Sequence, residues 1–177
     1  MKTIDKYIIE KLKIGKTTKQ QYTCHPKDRD ELYEILKERL AKDKNADLND
    51  IDVSKITNMI ELFEGLDPHN INISRWNVSN VEKMGEMFWG CVNFNCDLSD
   101  WDVSNVKYMA YMFYLCKNFN SDLSDWDVSK VNDMDYMFWG CKNLDCDLSN
   151  WNVINVRDRY DMFGNCTSMK NKPSWYK

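Results

Sequence analysis

Histidine, proline and glycine are scarce in this chain, with 2, 3 and 6 residues among 177, and no apolar run is long. Each shortage excludes something. His25 and His69 each stand without Cys, Asp or Glu at the spacing of a metalloenzyme zinc set. No G-x-G-x-x-G, P-loop, G-x-S-x-G or H-E-x-x-H occurs. The expectation is a chain that is no enzyme, with no catalytic residues, no cofactor and no metal. No stretch approaches the roughly 18 apolar residues of a membrane span. The first residues, MKTIDKYIIEKLKIGK, alternate charge with apolar side chains instead of forming the apolar core of a secretory signal. That points to a cytoplasmic chain, and the hydrophobic share of 43% with 29% charged suits a soluble globular one.

The formal net charge of −4 is unevenly spread. Residues 1–46 carry 12 Lys/Arg and 8 Asp/Glu, whereas residues 47–177 carry the other 12 basic residues and 20 acidic ones, a balance of −8. So acidic a surface repels phosphate backbones, and no nucleic acid is expected as partner.

What the chain has in plenty is Trp, Met and Cys, 7, 10 and 7 residues, and the excess comes from repetition. Trp76, Trp101, Trp126 and Trp151 are spaced by 25; so are Phe63, Phe88, Phe113, Phe138 and Phe163, and Cys91, Cys116, Cys141 and Cys166. The clearest unit is DLSDWDVSNVKYMAYMFYLCKNFNS, residues 97–121, with a looser copy from Asp47 and an incomplete one ending in KPSWYK. Within a unit Leu98, Trp101 and Val103 follow the strand spacing of a leucine-rich repeat. Val106, Met109, Met112, Phe113 and Cys116 then fall at helical spacing, with Ser104 placed as N-cap and Gly90 and Gly140 at the closing position. One such unit cannot bury its apolar face alone, so the units must stack.

The pattern L-S-x-W-D-V-S-x-V-x-x-M-x-x-M-F-x-x-C-x-x-F-N, read at 98–120 and recurring at 73–95 and 123–145, resembles the BspA-like leucine-rich repeat family of bacterial surface proteins. The resemblance implies a repeat solenoid used in adhesion and protein binding without catalysis, and a cell-surface or extracellular location as the alternative to the cytoplasm. The fold class expected is α/β: a leucine-rich-repeat-type right-handed solenoid of about five 25-residue strand–helix coils with an N-terminal helical cap. Residues 1–46 form the capping region and 47–177 the repeats. In the cap, a short helix is read over 4–14, a polar loop from Gly15 to Thr23, and a second helix over 29–41. The second starts at the capping-box-like pair Asp28 and Glu31 and carries Leu32, Ile35, Leu36 and Leu40 on one face.

Two exposed rows are candidates for contact with a protein partner. Asp100 and Asp102 flank Trp101, Asp125 and Asp127 repeat the arrangement, and Arg75 interrupts it, giving an acidic strand face that would steer a basic partner. The competing reading is a solvated face whose carboxylates bond turn amides. The second row is aromatic: Trp89, Tyr114 and Trp139 on the flank of the core stripe, with Tyr111 and Tyr136 nearly opposite it. The function expected is a non-catalytic protein-recognition module binding a partner of unknown identity through one of these rows. Self-association into a structural assembly is the alternative, as is a regulator from a mobile element or virus that binds a host cytosolic protein. Cys91, Cys116, Cys141 and Cys166 read as a buried core row. Arg159, at a core Met position, needs an exposed or paired setting.

Overall fold

The computed structural model describes residues 21–176. The helix read over 4–14, and the loop before residue 21, lie outside the described residues.

The helix read over 29–41 forms as α1, Arg29–Lys42. Asp28 stands in extended backbone as N-cap, and its carboxylate accepts the Glu31 N–H at 3.0 Å. Glu31 in turn accepts the Lys27 N–H at 3.0 Å. Acidic residues fill the first turn and Arg39 and Lys42 the last, matching the helix dipole. Leu32, Leu36 and Leu40 are buried in the same core as the repeats. Arg29 donates from Nε to the Ile60 carbonyl at 3.0 Å, and Arg39 grips Asp50 through both guanidinium nitrogens at 2.5 and 3.0 Å. The helix thus supplies apolar cover and polar partners to the first repeat.

The rest of the expected fold class is overturned. Among the described residues α1 is the one α-helix, no sheet forms, and the repeats are built from turns and isolated bridges, so the strand–helix coils are absent. The segment read as a strand is broken by turns: Trp101 donates its N–H to the Leu98 carbonyl and Val106 to Val103, at 3.1 and 2.9 Å. The segment read as a helix fails for a different reason. Glu61, Glu86, Tyr111, Tyr136 and Asp161 all have positive φ, from 43 to 57°. Four residues on, so do Gly65, Gly90, Leu115, Gly140 and Asn165, from 55 to 77°. A left-handed residue every fourth position cannot propagate an α-helix.

The backbone resolves its hydrogen bonds in two directions instead. Met87, Trp89, Cys91 and Phe94 donate locally to Met84, Glu86, Phe88 and Cys91, closing overlapping turns. The intervening Met84, Glu86, Phe88 and Gly90 donate to Tyr108, Ala110, Met112 and Tyr114 of the next repeat, at 2.8–2.9 Å. The same offset joins the following repeats, as in Met109 to Asp133, Phe113 to Met137 and Tyr136 to Tyr160. Single parallel bridges run in register through Asn58, Lys83, Tyr108, Asp133 and Asp158.

Register places like on like. Phe63, Phe88, Phe113, Phe138 and Phe163 stack with centroids 5.0–5.8 Å apart. Trp76, Trp101, Trp126 and Trp151 are buried, and each indole N–H donates back to a carbonyl of the preceding repeat: Leu48, Ile73, Leu98 and Leu123, at 2.9–3.1 Å. Trp175 closes the series on Leu148 at 2.9 Å. Cys116, Cys141 and Cys166 donate S–H to Phe88, Phe113 and Phe138 at 2.9–3.0 Å, and Cys91 reaches Phe63 at 3.5 Å. Burial pushes the Cys91 thiol up to about 12 and the Cys166 thiol to about 11, so these sulfurs stay protonated donors.

A substitution at Gly90 tests the left-handed backbone by sign. Its φ is +70° and a Cβ there meets nothing within 4 Å, so Gly90→Ala acts through backbone strain alone. The expected cost is about 1–2 kcal/mol in urea unfolding, whereas an alanine in a helix interior would stabilise by roughly 0.5–1 kcal/mol. A gain in stability would refute the left-handed turn.

Candidate functional site

The acidic row is made largely by turn chemistry. An Asx residue two positions before each turn amide accepts its N–H: Asp102 from Ser104 at 3.1 Å, Asp127 from Ser129 at 3.0 Å, and Asn77 from Ser79 at 3.2 Å. A second set does the same, with Asp97, Asp122 and Asp147 accepting from Ser99, Ser124 and Ser149 at 3.0 Å. The Ser104 hydroxyl, and then its N–H, hold the Asp102 carboxyl below the usual carboxylate range, and Ser129 does so for Asp127. Asp100, Asp125 and Arg75 are exposed, on turns and not on a strand. Ser104, read as a helix N-cap, is therefore a capped residue itself.

Other polar positions also have local duties. Ser121 and Cys146, at one position of successive repeats, accept the N–H groups of Leu98 and Leu123 at 2.9 and 3.2 Å, so hydroxyl and thiol serve there as the same acceptor. Arg159 is half-buried and lines a surface depression with Asp135, Asp158, Asp161, Tyr160 and Tyr176. His25 and His69 each sit 3.3 Å from a carboxylate, Asp52 and Asp67.

The aromatic row has no comparable duty and is a single cluster. Trp89 stacks on Tyr111 at 5.1 Å and tilts against Tyr114 at 4.6 Å. Tyr111 continues to Tyr136 at 5.0 Å, and Tyr114 to Trp139 at 5.0 Å. Tyr136 meets Tyr160 at 5.3 Å, edge to face. The structure thus joins Trp89, Tyr111, Tyr114, Tyr136 and Trp139, all half-buried, into one surface and adds Tyr160. Tyr160 is 69% exposed.

Carboxylates border these rings. Asp161 accepts the Trp139 indole N–H at 2.9 Å, and Asp135 accepts the Tyr160 backbone N–H at 2.5 Å. Partial burial, then the Asp135 and Glu86 charges, hold the Tyr111 phenol above its usual range. Desolvation raises the Glu86 carboxyl, with Glu61 and Glu64 adding repulsion. Desolvation likewise raises Asp133. Sequence reading missed these acids because they fall on positions taken for a helix flank. The period itself offered a cue, since Glu61, Glu86 and Asp161 occupy the position of Tyr111 and Tyr136.

Residues 31–129 and 109–176 both match a family described as a Mycoplasma protein of unknown function, DUF285. The chain belongs to this DUF285 family. The matches overlap, as expected where one repeat pattern is read twice, and the first begins inside α1. No curated protein and no solved structure matches the chain. Among the described residues no helix is long and apolar enough to cross a membrane.

The capping role of Asp102 and Asp127 has a pH signature. Their folded pKa values lie below the ordinary 3.8, so the stabilisation is present above that pH and is lost as pH falls through the lower folded values. Replacing both by Asn keeps the acceptor, so stability at neutral pH should hold within about 0.5 kcal/mol. The loss of stability between roughly pH 5 and pH 2 should be smaller than in wild type. Replacing both by Ala should cost about 1 kcal/mol per cap at neutral pH. Equal acid sensitivity in the Asn variant and the wild type, measured by urea titration at each pH, would remove the carboxylates from this role.

Proposed function

We propose that the chain is a non-catalytic protein-recognition module that binds its partner through the aromatic surface of Trp89, Tyr111, Tyr114, Tyr136 and Trp139. One observation carries the reading: half-exposed rings from successive repeats form a continuous cluster that closing the core does not require. The buried Phe and Trp series already fills the interior. Large, stiff side chains with a polar handle are what protein interfaces favour. The resemblance to BspA-type repeats supports the same class of function. Of the two candidate rows, the acidic one is the weaker, because Asp102 and Asp127 are committed to turn amides.

Tyr111 and Tyr136 hold a left-handed backbone, φ 57 and 52°, which the turn imposes equally on Glu61, Glu86 and Asp161, so the phenol is the part of these positions that varies from repeat to repeat. We place the module in a reducing compartment, the cytoplasm, in keeping with seven cysteines that are all free.

Affinity capture from a lysate of the source cell tests the reading. Tyr111→Asn with Tyr136→Asn keeps residues that tolerate the left-handed backbone and removes two rings. This variant should lose the protein that wild type retains, whereas Asp100→Lys with Asp125→Lys should retain it. Capture that survives the tyrosine changes and fails with the lysine changes would move the binding face to the turns. Light scattering addresses self-association: a mass near 21.1 kDa is expected for the pure chain, and twice that mass would favour assembly.

A further inference from the structure

We infer that the partner offers this aromatic surface an arginine-bearing segment, whose guanidinium groups bond the tyrosine hydroxyls and the carboxylates beside them. The inference rests on the ring surface being the binding face, and it adds the chemistry of what binds there.

Ring geometry narrows the choice. Tyr111 lies between Trp89 and Tyr136, at interplanar angles of 30 and 15°. Tyr114 lies between Trp89 and Trp139, at 34 and 16°. Both faces of each tyrosine are therefore covered by neighbouring rings. What remains to a ligand is the ring edge and the hydroxyl. A sugar or a flat apolar ligand, which needs an open ring face, is poorly served in the middle of the row. A donor that approaches edge-on and bonds oxygen atoms is well served.

Charge selects the sign of that donor. Glu86 is half-buried beside the rings, with Glu61 and Glu64 next to it. Asp133 and Asp135 are half-buried too, and each holds one backbone N–H through Oδ1, that of Asp135 and of Tyr160 respectively. Among the described residues the ion pairs of 4.0 Å or less join His25 to Asp52, Arg29 to Asp30, Lys37 to Glu34, Arg39 to Asp50, His69 to Asp67 and Lys107 to Glu82. None involves an acid of the ring surface. Arg157 and Arg159 line the depression that Asp135 shares with Tyr160, so the acidic stretch short of that depression runs from Glu86 to Asp133. Partly desolvated carboxylates without a cation raise the free energy of the unbound chain, and a partner's cation relieves it. Arginine fits better than lysine, because a planar fork of five donors can bridge a carboxylate and a hydroxyl at once.

The probe is a capped octapeptide of alternating arginine and glycine, titrated calorimetrically into the full chain at low salt. Lysine and glutamine versions serve as comparators. The arginine peptide should bind several-fold more tightly than the lysine one, and the glutamine one should not bind. Glu86→Gln with Asp135→Asn should weaken it about tenfold. Tyr111→Phe with Tyr136→Phe leaves charge and stacking intact, removes only the hydroxyls, and should weaken it several-fold. Asp100→Asn with Asp125→Asn makes the same charge change on the turn face and should leave the affinity unchanged. Equal weakening by that control would reduce the effect to net charge and overturn the inference. So would full affinity in the phenylalanine variant. The two readings fail separately. Lysate capture lost with Tyr111→Asn and Tyr136→Asn but kept with Glu86→Gln and Asp135→Asn would leave the ring surface standing and sink the cationic partner. Capture kept by both would sink the surface itself.

Discussion

The structure depends on how each repeat divides its amide groups. From residue 86 to residue 91 the N–H groups alternate: Met87, Trp89 and Cys91 close local turns, and Glu86, Phe88 and Gly90 reach the next repeat 24 residues on. Buried amides must find partners, and here neither helix nor sheet supplies them. Left-handed residues at Glu86 and Gly90, with their equivalents in every repeat, turn the alternate amides outward along the stack. Because these donors recur at one register, a repeat displaced by a residue would lose all of them together. The fixed period of 25 follows from that constraint.

Register then determines chemistry. A tryptophan at one position in four successive repeats buries its ring and finds a carbonyl 28 residues back for its indole N–H. The cysteines use the same offset with a weaker donor. Burying each phenylalanine contributes about 2–3 kcal/mol, and the five stacked rings form the spine of the core. The Asx turns at Asp97 and Asp102 serve the opposite edge, satisfying amides that point to solvent. Rich in Asp yet poor in Pro and Gly, the sequence bends its chain through side-chain acceptors.

Much of this could be read from the residues, and the failure was specific. The period, the buried positions and α1 with its Asp28 cap are all present in the spacing of apolar and capping residues. The strand and helix within each unit were not, because overlapping turns place Val106, Met109, Met112, Phe113 and Cys116 inward at intervals of three and four, as a helix does. Periodicity reports which side chains share a face, and here two backbones share that answer. Glycine recurring at 65, 90 and 140, with Asn165 in register, was the cue for a left-handed position. Glu86 and Tyr111 gave none, since neither residue type favours that conformation. The surface acids were missed for the same reason: Asp135 and Asp161 take their place beside the rings only once the helix is replaced by turns.

The tyrosines at 111 and 136 connect the backbone constraint to the surface. The turn demands positive φ there, and the neighbouring repeats meet the demand with Glu61, Glu86 and Asp161. None of these five positions carries glycine, although glycine would adopt the conformation without strain. The backbone cost is thus accepted at all five, and what varies is the chemistry displayed: carboxylate, carboxylate, phenol, phenol, carboxylate. The shared backbone conformation sets each Cα–Cβ bond at one angle to the stack, so these groups form a row, and stacking on neighbouring rings restrains Tyr111 and Tyr136 within it. Rings from the flank, Trp89, Tyr114 and Trp139, pack beside that row and stiffen it further. A surface pre-ordered in this way gives up less entropy when a partner arrives than a flexible one would. The left-handed turn therefore sets the register of the repeats and also presents a row of oxygen-bearing groups to solvent.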